Sequence, residues 1–190
     1  MATELELKYR SGHAQMAVIR RDYPDLHPIT METAYFDAPG RPLGQKHWTL
    51  RRRLENSRSV CALKTPGENG VTGEWEVEET SLEAAIPKLC QLGAPRELLA
   101  LTGLTQVCAA RFTRLAGLLD LGSATVELAL DQGVLLGGGR EEALCEVEIE
   151  LKSGDREALM AFGRDFARKY GLETEHKSKF ARANALASEV

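Results

Sequence analysis

Charged and apolar residues alternate strictly along Glu4-Leu5-Glu6-Leu7-Lys8-Tyr9-Arg10, so an extended chain there carries its charges on one face and its hydrophobic side chains on the other. The same alternation returns in residues 50–54, 60–65, 74–78, 112–118, 126–131 and 146–152, which predicts seven strands in all. Pro66-Gly67-Glu68-Asn69-Gly70 and Gly137-Gly138-Gly139 are turn material between such segments, and they predict hairpins of a largely antiparallel sheet. Helical patterns are interleaved at about four places. One follows Thr80, where Thr80 and Glu83 stand at capping-box spacing before Ala84-Ala85-Ile86, with Gly93 as its stop. Another begins near Asp155, carries Leu159, Phe162, Phe166 and Tyr170 at helical spacing, and ends at Gly171. Residues 13–22 and 178–187 are shorter segments, the second with Phe180, Ala183 and Leu186 in one apolar stripe.

The sign of the charge then separates by strand. Glu4 and Glu6, Glu74, Glu76 and Glu78, and Glu146, Glu148 and Glu150 put carboxylates on one face of three strands, whereas Arg51 and Arg53, Lys64 and Arg114 put bases on others. A solvated sheet face usually intersperses the two signs, because like charges that are neighbours repel. The opposite faces, with Leu5, Leu7, Leu50, Trp75, Val77, Val126, Leu128, Val147 and Ile149, are apolar and need cover, which helices packed outside would give. The pattern therefore predicts an α+β fold in which a sheet curls into a barrel with a charged, wet interior. Carboxylates at i and i+2 of a strand point the same way, roughly 7 Å apart. Two such pairs facing each other can offer oxygens to a hard cation, magnesium or manganese. Arginines on facing walls suit phosphate oxygens, so the two together suit a metal–polyphosphate complex.

Composition narrows the setting. At 190 residues and 43% hydrophobic content, the chain supports one domain over residues 1–190. Twenty-four bases against 28 acids give a net charge of −4, so no overall positive field points to nucleic acid. No apolar run reaches a membrane span, and the scattered Cys61, Cys90, Cys108 and Cys145 make neither a zinc knuckle nor a disulfide framework. A soluble cytoplasmic protein with free thiols is expected, with no nucleic-acid or membrane partner. Oligomeric state is not readable from the pattern.

Glu4-x-Glu6-x-Lys8 at the N-terminus resembles the signature of the CYTH superfamily, the triphosphate tunnel metalloenzymes. The resemblance continues through Tyr35-Phe36-Asp37, Leu50-Arg51-Arg52-Arg53, Leu63-Lys64-Thr65-Pro66, Glu74-x-Glu76-x-Glu78, Arg114, Glu127 with Leu130-Asp131, Glu146-x-Glu148-x-Glu150 and Lys177-Ser178-Lys179. It covers nearly the whole chain, and Ala129-Leu130-Asp131-Gln132-Gly133 is similar to bacterial inorganic triphosphatases. The resemblance implies a closed antiparallel tunnel of eight strands. It also implies metal ligation by Glu4, Glu6, Glu148 and Glu150, and phosphate binding by Lys8, Arg51, Arg53, Lys64, Arg114 and Lys179. Glu4, Glu6, Lys8, Arg51, Arg53 and Glu148 form the implied catalytic set. Asp131 and Glu76 join the metal candidates, beside Glu74, Glu127 and Glu146 as further lumen groups that could bind metal, orient water or pin an arginine. One departure is Thr72-Gly73, where relatives often carry a base. Arg111 lies in the wrong phase to replace it, and Arg52 points outward by the same alternation.

The implied activity is hydrolysis of a small-molecule substrate, inorganic triphosphate, to diphosphate and phosphate with Mg2+ or Mn2+. Thiamine or nucleoside triphosphate hydrolysis, adenylate cyclisation and non-catalytic polyphosphate or nucleotide binding are the alternatives. The strand pattern shows no aromatic cluster on the charged face suited to stacking on a base or thiazolium, which favours the inorganic substrate. Tyr35 and Trp75 read as packing residues.

Overall fold

The computed structural model describes residues 2–67 and 72–188, apart from the side chains of residues 2–4 and 72. Its elements in chain order begin with β1 (Ala2–Glu4), β2 (Glu6–Arg10), α1 (His13–Asp22), β3 (His27–Asp37), α2 (Pro42–Gln45), β4 (Thr49–Glu55), β5 (Arg58–Pro66) and β6 (Thr72–Glu78). There follow α3 (Leu82–Gln91), a 3-10 turn (Arg96–Ala100), β7 (Thr105–Asp120), β8 (Ala124–Gly137), β9 (Arg140–Gly154), α4 (Arg156–Tyr170), β10 (Glu173–Thr174) and α5 (Lys179–Ser188). The hairpin at residues 66–70 joins β5 to β6, which pair from Pro66↔Thr72, but its tip lies outside the described residues. No helix among the described residues is long and apolar enough to cross a membrane.

The ten strands of the described residues form one sheet, ordered β1-β6-β5-β4-β3-β7-β8-β9-β2-β10, and each pairing among them is antiparallel. The expected closed eight-stranded barrel is thus corrected to an open order of hydrogen-bonded strands. The reason lies at the N-terminus. β1 pairs with β6 at one margin, then Leu5 intervenes, and β2 pairs with β9 and β10 at the other, so no stretch of the run is bonded to both margins. Counting β1 and β2 as one interrupted run and omitting the two-residue β10 leaves eight of the ten.

Alternation places the core. Outward-facing Val126, Leu128, Leu130, Val147 and Ile149 bury against Ile19 of α1 and Leu159, Phe166 and Tyr170 of α4, each large side chain contributing roughly 1.5–3 kcal/mol. Asp155 caps α4 by accepting from the Glu157 amide at 3.0 Å, and Gly171 ends it in the left-handed conformation. Leu50, Leu63 and Trp75 bury likewise against Leu82, Ala85 and Leu89 of α3. The cap of α3 is Ser81, whose hydroxyl accepts from Ala84 N at 3.3 Å, one residue past the expected Thr80.

α5 departs from the expectation that helices pack outside. Its Ala183, with Phe180 and Leu186, meets Tyr35, Ala110, Phe112, Leu135 and Leu144. On β7, β8 and β9 these last residues are in phase with Arg114, Asp131 and Glu146, so α5 covers one end of the charge-bearing face. The approach is backbone to backbone. A Cβ on Gly137 would lie 2.1 Å from the Ala183 carbonyl oxygen, which only glycine avoids.

Candidate active site

Register decides which charges meet. Glu6 stands opposite Glu150, which stands opposite Glu127, and Lys8 stands opposite Glu148. Across the sheet, Arg51 and Glu76 flank Ala62, whose small side chain lets the longer ones reach over it, and Lys64 stands opposite Glu74. The charged face bounds a cavity of about 320 Å³, lined by Glu6, Lys8, Arg51, Arg53, Lys64, Arg114, Glu148, Glu150 and Lys179. A second hollow of about 240 Å³ adjoins it through Met31, Arg51, Arg53, Arg114 and Glu150, and adds Glu55, Glu74, Glu76, Glu127 and Lys152.

Most of the residues singled out from the sequence therefore line one connected space. Glu4 ends β1, two positions before Glu6, but its side chain lies outside the described set. Arg52 points outward and donates to the Thr80 carbonyl at 3.0 Å, and Arg111 is exposed on the outer face. At Gly73, where relatives often place a base nearby, even a Cβ would come within 2.9 Å of Thr65 Oγ1.

On the β4–β6 wall the bases are partnered by carboxylates. Arg51 donates to Glu74 at 2.8 Å and to Glu76 at 3.3 Å, Arg53 pairs with Glu55 and with Glu76 at 3.5 Å, and Lys64 lies 3.4 Å from Glu74. Burial works against ionising Glu76, but Arg51 and Arg53 outweigh it and lower its carboxyl. Glu76, expected among the metal ligands, is in this arrangement a partner of two arginines.

The β7–β9 wall is tighter. Arg114 grips Asp131 through two bonds of 2.8 and 2.7 Å and also donates to Glu148. The Lys179 ammonium reaches Glu146, Glu148 at 2.6 Å and Asp131 at 2.9 Å. Arg182 completes the set, 3.2 Å from Glu146 and hydrogen-bonded to Glu142. Burial alone would raise the Glu148 carboxyl, but Lys179 and Arg114 hold it well below the usual range. For Glu146 burial wins over Lys179 and the carboxyl is raised. Asp131 and Lys179, expected as a metal ligand and a phosphate ligand, are thus joined to each other.

The metal question divides along the same line. Asp131, Glu146 and Glu148 bring ligand oxygens within 4.8 Å of one another, but Lys179 sits among them. Glu6 and Glu150, opposite in register and both lining the cavity, fit a hard divalent cation better. Their nearest described bases are Lys8, 3.9 Å from Glu6, and Lys152, 2.7 Å from Glu150.

Sequence reasoning missed several members. Lys152 is in phase with Glu148 and Glu150, and Arg182 follows Lys179 at i+3, so both left a signal. Glu55, in phase with Arg51 and Arg53, and Glu142, in phase with Glu146, carry the same signal. The absence of lumen aromatics is also corrected. Tyr35, Phe112 and Phe180 line the 320 Å³ cavity, with Tyr35 and Phe180 ring centroids 5.3 Å apart. Phe180 comes from α5, whose side of the sheet periodicity does not give.

Comparison with known proteins places this geometry. The model of the CYTH domain matches residues 2–183. An inorganic triphosphatase from Haemophilus influenzae is 30% identical over 138 residues, which are 70% of this chain and 39% of that protein, so the chain spans about two fifths of that relative. A candidate adenylate cyclase from Bacillus halodurans superposes with a TM-score of 0.68 at 15% identity, covering 96% of this chain and 98% of the other. A candidate adenylyl cyclase from Hippeastrum, described as having a dominant triphosphatase activity, gives 0.68 at 17% identity over 98% and 97%. At such identities these two structures speak to the fold.

Proposed function

This chain belongs to the CYTH domain family, and on that premise we propose that it hydrolyses inorganic triphosphate to diphosphate and phosphate with a divalent cation, Mg2+ or Mn2+. The observation that carries the reading is one cavity lined by Arg51, Arg53 and Lys64 from one wall, Lys8 and Arg114 from the other, and the Glu6–Glu150 pair between strands β2 and β9. We read the sheet as a tunnel wall, its margins joined through Leu5, which accepts from Leu151 N at 2.9 Å.

In this reading Arg51, Arg53 and Lys64 bind phosphate oxygens by exchanging some of their contacts with Glu74 and Glu76 for contacts with substrate. Glu6 and Glu150 would hold the cation, which when bound would offset the charge of the phosphates. Glu148 and Asp131 act as anchors, since their oxygens already accept from Arg114 and Lys179. Water attacks a terminal phosphorus, the bond to the bridging oxygen breaks in line, and diphosphate departs with the electron pair. Lys8 orients the water, and the proton passes to a carboxylate of the Glu6–Glu150–Glu127 row. Four free thiols fit a cytoplasmic setting. Burial pushes Cys61 up to about 11, which makes it a poor nucleophile.

A second reading has its own observation. Tyr35, Phe112 and Phe180 put an aromatic end beside the bases, which favours a triphosphate ester with a stacking group, such as a nucleoside or thiamine triphosphate. Phosphate release from inorganic triphosphate, ATP and thiamine triphosphate, each with Mg2+, Mn2+ or chelator and with Glu6→Ala as blank, separates the two. Metal-dependent release from the inorganic substrate is expected. Preferential turnover of an ester moves the assignment to the second reading, cyclic AMP makes the protein a cyclase, and binding without release makes it a sensor.

A further inference from the structure

Resting on that reading, one residue on the charged face has an occupation that the proposed chemistry does not use. An ammonium group has three N–H donors, and Lys179 donates to Glu146 and to Glu148 at 2.6 Å and forms an ion pair with Asp131 at 2.9 Å. The side chain is 9% exposed, and Asp131 and Glu146 are 0% exposed. The ligand oxygens of this triad lie within 4.8 Å of one another, close enough for one hard cation to touch all three. The triad already has its counter-charges in Lys179, Arg114 and Arg182, the last shared with Glu142 and Glu175.

Lys179 is delivered to this position from outside the sheet strands. It opens α5, whose Phe180, Ala183 and Leu186 are packed on the apolar end of the same face. Arg182, one turn on, holds Glu142 and Glu146. The helix is therefore fixed by packing and by a second ion pair, and Lys179 fills the triad as a consequence.

We propose that Lys179 is a built-in counter-cation: it occupies the seat that a second divalent ion would take, and so confines exchangeable metal to the Glu6–Glu150 side of the cavity. It is a positioning residue, since it acts by deciding where metal binds. Removing the ammonium while leaving room opens the triad to a divalent ion. Keeping a cation of similar reach keeps it closed.

The test counts Mn2+ bound per chain by electron paramagnetic resonance, without triphosphate, on the full chain. Lys179→Ala is expected to bind one Mn2+ more than the parent, Lys179→Arg no more than the parent, and Lys179→Ala combined with Asp131→Asn is expected to lose the gain. An unchanged count in Lys179→Ala would overturn the proposal. Should that variant not fold, anomalous scattering from crystals of the parent chain soaked in Mn2+ decides. A peak beside Glu6 and Glu150 with none in the triad supports it, and a peak inside the triad, or none beside Glu6 and Glu150, overturns it. Neither readout depends on turnover, so a parent chain that releases no phosphate would sink the proposed activity and leave this inference standing.

Discussion

On β4–β6, Arg51 and Arg53 share Glu76, whose side chain is 41% exposed, beside the more buried Arg51–Glu74 pair, whereas on β7–β9 Arg114 grips Asp131, which is 0% exposed. Both walls pair bases with acids, yet solvent separates their consequences. An ion pair open to water exchanges partners at small cost, while a buried one, once broken, leaves a charge with no compensation. The first wall is suited to releasing its arginines to an incoming anion, and the second to holding shape. Sequence alternation shows both walls alike, and the difference appears only with the register and with α5.

The comparison is broken most strongly on the buried wall. Asp131→Asn takes from Arg114 the carboxylate it grips through two bonds and leaves it Glu148 alone, one negative charge short in a buried network, and the expected loss is about 3 kcal/mol of stability in chemical denaturation. A loss below about 1 kcal/mol would mean that the two walls do not differ. Arg51→Ala tests the open wall and is expected to weaken triphosphate binding by about 1.5–3 kcal/mol in calorimetric titration, as a charge-assisted bond is lost. Its stability should change far less than that of Asp131→Asn. Glu76→Gln keeps the size of the side chain and removes its charge, and a stability change within about 1 kcal/mol is expected. Tighter triphosphate binding should accompany it, because Arg51 and Arg53 lose a competitor.

The smallest effect lies away from the cavity. Asp22 of α1 accepts from the Tyr170 hydroxyl at 2.9 Å and lies 3.0 Å from Lys169, both on α4. Led by the Lys169 and Tyr170 hydrogen bonds, these contacts lower its carboxyl from 3.8 to about 2. A lowered acid stabilises the fold above its unfolded value and ceases to as pH falls through its folded value. The parent should therefore lose a small increment of stability between about pH 4 and 2 that Asp22→Asn lacks, as read from urea midpoints against pH.

How much of this was written in the sequence varies by element. Glu146, Glu148 and Glu150 announced β9, and Arg51 and Arg53 announced β4, because charges in phase mark a face without ambiguity. Asp155 and Gly171 bounded α4 correctly, since capping is local chemistry. β3 was missed as a strand. Its inward positions, Met31, Thr33 and Tyr35, carry no charge, so the two faces do not contrast. The spacing of Phe180, Ala183 and Leu186 gave the apolar stripe of α5 but not the side of the sheet it covers, which depends on long-range packing. The same holds for the ion pairs. Lys179 and Asp131 are 48 positions apart in sequence, and only the folded chain makes them partners.

The central claim is that the open wall and the Glu6–Glu150 pair together turn over a linear triphosphate. Phosphorus NMR of inorganic triphosphate incubated with Mg2+ and the parent chain, beside Glu6→Ala and a chelated control, tests it most directly. Equal amounts of diphosphate and phosphate from the parent are expected, with kcat/KM lower on the order of a hundredfold or more in Glu6→Ala, because a bound metal contributes several kcal/mol to such a transition state. Undiminished turnover in Glu6→Ala or in chelator, or an unchanged triphosphate signal with the parent, would contradict the account.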